Sequence, residues 1–246
     1  PPAVDHGDGA GARPTTAGPR PAVPATSYCG GTGRTAPGPL PDRCGGLVRS
    51  SLILSRRDLD FLLHEWLGVE DLVKRPRYAE HSRETFDAVL DLAEQIATEH
   101  FAPHNRTADE NEPRMVDGRA VLIPEVKQAR DVFGEAGLMA GTVDEELGGM
   151  QLPHTVAQAA MAWFNAATVG TAAYPFLTMA NARLLVAHGS PEQVDTFVRP
   201  MIEGRWFGTM ALSEPQAGSS LADITTRAER QDDGTYRLTG NKMWIS

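Results

Sequence analysis

Eleven consecutive residues, Met210-Ala-Leu-Ser-Glu-Pro-Gln-Ala-Gly-Ser-Ser220, hold the densest set of groups suited to a ligand. Ser213, Ser219 and Ser220 offer hydroxyls that both donate and accept. Gly218 lets backbone N–H groups approach a ligand closely. Such a loop fits a polar or anionic ligand, or serves as a plain connector, and the pattern alone leaves both open. It is not a phosphate loop ending in lysine, and no Gly-x-Gly-x-x-Gly occurs. Near the other end, Trp244 offers a rigid apolar plane and Ser246 one more hydroxyl. A tryptophan alone is equally at home in a core. His81, His154 and His188 stand at no metal-ligand spacing, so no metal is expected. Two cysteines, Cys29 and Cys44, are too few for a disulfide scaffold or a cysteine-rich zinc module.

The elements that must position these residues are helices first, then strands. Asp58 to Leu67 sets Leu59, Leu62, Leu63 and Trp66 on one helical face. Ser82 caps a long helix to about His100, with Phe86, Val89, Leu90, Ala93, Ile96 and Ala97 as its stripe. A polar segment runs from there to about Gly118. Pro124 opens a third helix that Gly137 closes. Asp144 to Gly149 reads as a turn. Residues 153–168 form a very apolar helix, and 171–188 another ended by Gly189. Ser190-Pro191-Glu192-Gln193 joins a cap, a first-turn proline and a capping-box partner, opening a sixth helix to Gly204. Thereafter Trp206–Leu212, Thr225–Glu229, Thr235–Thr239 and Lys242–Ser246 read as short strands, with turn pairs at Asp233-Gly234 and Gly240-Asn241. The expected class is α+β with segregated regions, not a doubly wound sheet.

Composition separates a leader from a body. Residues 1–46 hold 9 of the 18 prolines and 10 of the 24 glycines, with few large apolar residues, and are expected to be disordered. Residues 1–57 carry net charge +4 and the rest −13, within a total of −9. Arg outnumbers Lys 20 to 3, and no Met precedes Met115. The leader is therefore expected to be non-coding sequence read upstream of a start near Val48. No apolar run is long enough to span a bilayer, and the acidic body argues against nucleic-acid binding.

The segment Met210 to Ser220 resembles the first signature of acyl-CoA dehydrogenases, an apolar strand and then Thr/Ser-Glu-Pro-x-Ala-Gly-Ser-Asp. Gly240-Asn-Lys-Met-Trp-Ile-Ser246 resembles the second, Gly-x-Lys-x-Trp-Ile-Thr/Ser, and Asp144-Glu-Glu-Leu-Gly-Gly149 resembles the Pro-Glu-Glu-x-Gly-Gly turn of the same family. The resemblance covers roughly residues 56–246. The helix near Arg57–Leu67 is similar to an N-terminal extension in a longer bacterial branch.

The resemblance implies an all-α N-terminal domain followed by the start of an antiparallel β-barrel domain. The implied ranges are a leader at 1–50, an extension helix at 51–78, the helical domain at 79–205 and a truncated β domain at 206–246. It implies FAD, an acyl-CoA substrate desaturated to a trans-2-enoyl-CoA as in fatty-acid β-oxidation, and electron-transferring flavoprotein as acceptor. It also implies a homo-oligomer in the cytoplasm with no membrane or nucleic-acid partner. By the same resemblance Ser213 meets the flavin ring, with the Met210 and Leu212 backbone at its pyrimidine edge. Gly218 and Ser219 meet the pyrophosphate, Ser219 lies near the acyl-CoA, Trp244 covers the flavin and Ser246 lies near N5. Tyr174, Phe176 and Leu177 line the acyl pocket or merely pack their helix. Glu214 is a structural loop carboxylate. Ser220 stands where the family has Asp. The family's catalytic glutamate lies in a C-terminal domain, so no catalytic residue is expected in this chain, which is expected to be an inactive fragment. Related readings are a flavin-bearing DNA-protection protein of the adaptive-response type and a non-catalytic gene-model piece.

Overall fold

A computed structural model describes residues 52–245. The expectations for residues 1–46, the two cysteines and Ser246 fall outside them.

Helix α1 (Arg56–Asp60) runs on as a π-helical turn over Phe61–Trp66. A π turn is wider than an α turn and rotates the side chains that follow it. The expected stripe is therefore only partly right: Leu63 is buried and Leu59 half-buried, but Leu62 and Trp66 are exposed. Helix α2 (Arg83–Ile96) begins at a full capping box, in which Ser82 and Thr85 satisfy each other's backbone N–H, and continues as a π turn over Ala97–Phe101.

The expected polar segment up to Gly118 holds more order than its composition suggests. Helix α3 (Asn105–Glu110) leads into a hairpin of β1 (Arg114–Val116) and β2 (Arg119–Val121), paired antiparallel. Asp117 and Gly118 at its tip both have positive φ, 48° and 74°, the geometry of a two-residue hairpin turn.

Helix α4 (Pro124–Glu135) buries Val126, Ala129 and Phe133 and ends before Gly137 in the left-handed region. The turn that follows is fixed by a close backbone approach. A Cβ on Gly149 would lie 2.0 Å from the Val143 carbonyl oxygen, so only glycine fits. Arg77 pairs with Asp144 in this turn, and the Gln151 side-chain amide donates to the Arg77 carbonyl at 2.7 Å. Helices α5 (His154–Ala167) and α6 (Val169–His188) follow, meeting at Thr168. The last stretch is α7 (Pro191–Gln193), a π turn over Val194–Val198, and α8 (Arg199–Ile202). Its Ser190–Gln193 capping box forms as the sequence predicts.

Helix α2 packs on α5, and α6 packs on α5 and α4. At their centre Phe164 meets Phe101 and Phe133 edge-on, with ring centroids 4.9 and 4.8 Å apart. Phe86, Phe101, Phe133, Trp163 and Phe164 are completely buried.

Beyond Gly204 two of the four expected strands form and two do not. Trp206–Leu212 and residues 242–245 have no regular structure, and only β3 (Arg227–Arg230) and β4 (Tyr236–Thr239) pair, as an antiparallel hairpin about Asp233-Gly234. A strand exists only against a hydrogen-bonded neighbour. Among the described residues, one backbone bond, from the Met243 N–H to the Ser213 carbonyl at 3.0 Å, ties the second of these segments to the end of the first. The observed class is a helical domain with a few short antiparallel strands, and no closed barrel is formed among the described residues.

Candidate functional site

The site begins where the chain leaves the helices. Arg205 and Trp206 both donate backbone N–H to the Pro200 carbonyl, at 2.9 and 3.0 Å. Two residues on, the Gly208 N–H donates to the Thr178 hydroxyl at 3.0 Å, and that hydroxyl donates to the Tyr174 carbonyl at 2.6 Å. These bonds bring the chain at Gly208 onto α6, one turn from Tyr174. Tyr174 and Leu177 are half-buried and Phe176 is exposed. Tyr174 takes part in the wall of a cleft of about 160 Å³ with Val126, Thr168 and Thr171.

Glu214 closes the site. Its side chain is 1% exposed, and Lys242 Nζ sits 2.8 Å from Oε1. Oε1 also accepts the Thr226 N–H at 2.9 Å. Oε2 accepts the Thr225 N–H and hydroxyl, both at 2.8 Å, and the Gln216 amide at 2.6 Å. The Lys242 ammonium foremost, with hydrogen bonds from Thr226 and Thr225, holds this carboxyl far below the usual carboxylate range. With every lone pair engaged, Glu214 has no capacity to take a proton from a substrate. It is a structural carboxylate, as expected.

Lys242 also donates to the Leu212 carbonyl at 2.9 Å. Together with the Met243–Ser213 backbone bond, this brings the two motif segments side by side. Leu212 and Ser213 thus lie against residues 242–243, one step from Trp244. A Cβ on Gly240 would come within 2.0 Å of the Thr226 hydroxyl, so the second segment needs glycine to lie this close.

The remaining expected residues face outward. Met210 and Leu212 are exposed, and their backbone N–H groups take no partner among the described residues. The Ser213 hydroxyl is half-buried and makes no hydrogen bond there. Gly218 and Ser219 lie on an open loop, and a Cβ on Gly218 would meet nothing within 4 Å. Trp244 is 83% exposed with φ at +58°, a conformation a bulky residue seldom takes. Its indole neither packs in a core nor covers another group of the described chain.

The Glu214–Lys242 pair is the feature that residue-by-residue reading missed. The signal was present, since each of the two motifs carries one fixed charge of opposite sign.

Residues 83–205 match the family described as acyl-CoA dehydrogenase, N-terminal domain. The 3-methylmercaptopropionyl-CoA dehydrogenase of Ruegeria pomeroyi is 36% identical over 193 residues, covering 77% of this chain and 32% of that protein. The structure of glutaryl-CoA dehydrogenase from Mycobacterium smegmatis superposes with a TM-score of 0.56 at 25% identity, over 72% of this chain and 42% of that one. An acyl-CoA dehydrogenase from Bacillus anthracis, solved in complex with FAD, gives 0.54 at 23% identity over 68% and 27%. The chain spans about a third of the length of the curated relatives it matches. A family match across half the chain, joined to two motifs tied together by Glu214 and Lys242, identifies the chain as a member of the acyl-CoA dehydrogenase family.

Proposed function

We propose that this chain supplies the flavin- and acyl-binding framework of a FAD-dependent acyl-CoA dehydrogenase, which desaturates an acyl-CoA thioester to a trans-2-enoyl-CoA and passes electrons to an electron-transferring flavoprotein. The observation that carries this reading is the Glu214–Lys242 tie. It aligns Met210, Leu212 and Ser213 with Trp244 and leaves their polar edges and aromatic plane free.

The residues present fit a flavin. Met210 and Leu212 offer unpaired N–H groups to a polar ring edge, and Ser213 adds an unbonded hydroxyl. Trp244 provides a flat apolar surface, and the loop at Gly218 and Ser219 is open enough to admit a phosphate. FAD, when bound, accepts the substrate's β-hydrogen as hydride. Tyr174, Phe176 and Leu177 form the acyl side, carried on α6 near the point where Gly208 is anchored. Glu214 is excluded as the base by its saturated carboxylate, so proton removal falls to a residue outside the site described.

In the protein carried to the length of its relatives, Trp244→Ala should weaken FAD binding about 10- to 100-fold, the scale of aromatic stacking on a ring. Equilibrium dialysis against FAD measures it, and equal retention by the variant refutes the flavin assignment.

A further inference from the structure

Three ligand-bearing side chains meet between α1 and α2, away from the site above. Asp60 and His64 stand one turn apart on the first helix, and Asp87 faces them from α2. One ligand atom of each lies within 4.8 Å of the others.

His64 is the informative member. Its side chain is 4% exposed. Nδ1 lies 2.6 Å from Glu70 Oε1. A carboxylate can only accept, so Nδ1 carries a proton, and Nε2 is the nitrogen turned towards Asp87. That buried Nε2 has no hydrogen-bond partner and points at Asp87 Oδ1, 3.3 Å away. A nitrogen faces a carboxylate at this distance only with a positive charge between them, supplied by a proton on Nε2 or by a metal ion.

The arginines nearby do not fill that place. Arg56 Nε bonds Asp60 at 2.8 Å, but its Nη2 stays 3.6 Å from Asp87, and Arg83 Nε is also 3.6 Å from Asp87. Both distances exceed a hydrogen bond. Arg56 further pairs with Asp91 and approaches Glu94 at 3.8 Å, and Arg83 Nη1 approaches Glu70 at 3.4 Å. Against these two cations stand Asp60, Glu70, Asp87, Asp91 and Glu94, so the cluster keeps an excess of negative charge.

We propose that Asp60, His64 and Asp87 bind a divalent transition-metal ion of the zinc class, which staples the N-terminal helix to the first helix of the family domain. Imidazole plus two carboxylates suits such an ion, with water as a fourth ligand. Zinc–ligand bonds near 2.0–2.2 Å place tetrahedral ligands about 3.3–3.5 Å apart, so the two half-exposed carboxylates close in by about 1 Å. Glu70 on Nδ1 completes the carboxylate–histidine–metal arrangement that fixes the ring and raises its basicity. Sequence spacing could not reveal this set, because Asp87 comes from a different helix.

The test is zinc titration of the 246-residue chain by calorimetry, in a Cys29→Ser, Cys44→Ser background so that no thiolate competes. One equivalent should bind, and His64→Gln or Asp87→Asn should weaken it at least tenfold. Glu70→Gln should cost about tenfold or more through the ring alone. Free zinc at about a hundred times its Kd should raise Tm by roughly 5–10 °C, and the His64→Gln protein, if folded by circular dichroism, should lose that shift. Cobalt substitution should give visible d–d bands without thiolate charge transfer. The proposal is overturned if no zinc binds below 1 mM, if His64→Gln binds as the parent does, or if magnesium binds equally well. The first result would leave a protonated His64 ion-paired between Glu70 and Asp87.

Discussion

The helices up to Gly204 and the segment after it are held together by opposite means. In the helices, large apolar side chains vanish from solvent around Phe164. In the segment, Trp206, Met210, Leu212, Leu221, Ile224, Leu238 and Trp244 are all exposed, and a buried carboxylate with its ring of donors fixes the chain. Apolar burial is non-directional and tolerates small shifts. A charged knot is directional, because each bond has a set length and angle. The first suits a scaffold, and the second suits a place where backbone must be held to a ligand's shape with apolar groups left free.

The sharpest way to break this contrast is at Phe164. Its ring touches both Phe101 and Phe133, so Phe164→Ala leaves a cavity in the only aromatic cluster of the described helices. A loss of about 3–5 kcal/mol is expected, read by chemical denaturation followed through helical circular dichroism. A loss under about 1 kcal/mol would mean the helices are not held by this core.

Glu214→Gln addresses the other region. The amide keeps the size but loses the charge and places an NH2 against donors that need an acceptor. Hydrogen exchange at the Thr225 and Thr226 amides should rise sharply, and Trp244 emission should change, while helical circular dichroism stays as in the parent. Helices that melt together with the knot would show one cooperative unit and erase the distinction.

Acid separates the regions without mutation. A carboxyl depressed in the folded state contributes stability that is complete above its ordinary pKa of 4.5 and is lost as pH falls below it towards the folded value. Acidification below about pH 4.5 should therefore progressively loosen residues 206–245. The aromatic core around Phe164 contains no carboxylate and gains no such dependence. Amide exchange at Thr225 and Thr226, compared with that at Phe164 between pH 6 and pH 3, measures the difference.

The same contrast explains what the sequence revealed. Helices α2, α4, α5 and α6 were legible because apolar period, Ser82, Pro124 and Gly137 all point one way over many residues. The π turns at 61–66 and 97–101 were not, since no residue type marks them, and the misplacement of Leu62 and Trp66 follows from the first. The β1–β2 hairpin carried its signal in Asp117-Gly118, masked by the charge around it. Trp206–Leu212 has strand-like composition, but pairing is decided by a neighbour that its own residues do not encode. The site's motif residues were legible by resemblance. The Glu214–Lys242 bond that unites them joins distant positions, and so does the His64–Asp87 pair, which no local pattern reports.

The smallest effect lies at the joint between the regions. Ser190 accepts the Gln193 N–H at 3.3 Å, and the Gln193 side chain accepts the Ser190 N–H at 2.9 Å. Ser190→Ala removes the first of these bonds on an exposed surface and should cost about 0.5–2 kcal/mol. The affected helix ends near Pro200, whose carbonyl accepts from Arg205 and Trp206 and so launches the second region. If that region depended on the joint, fraying here would loosen it as well. The knot, however, is closed by Gln216, Thr225, Thr226 and Lys242, all within its own segment, and the Gly208–Thr178 bond holds its entry independently of α8. Denaturation should thus show the small loss, while exchange at Thr225 and Thr226 remains at the parent's rate. Faster exchange there would mean that the Pro200 carbonyl, and not the carboxylate of Glu214, sets the position of the segment after Gly204.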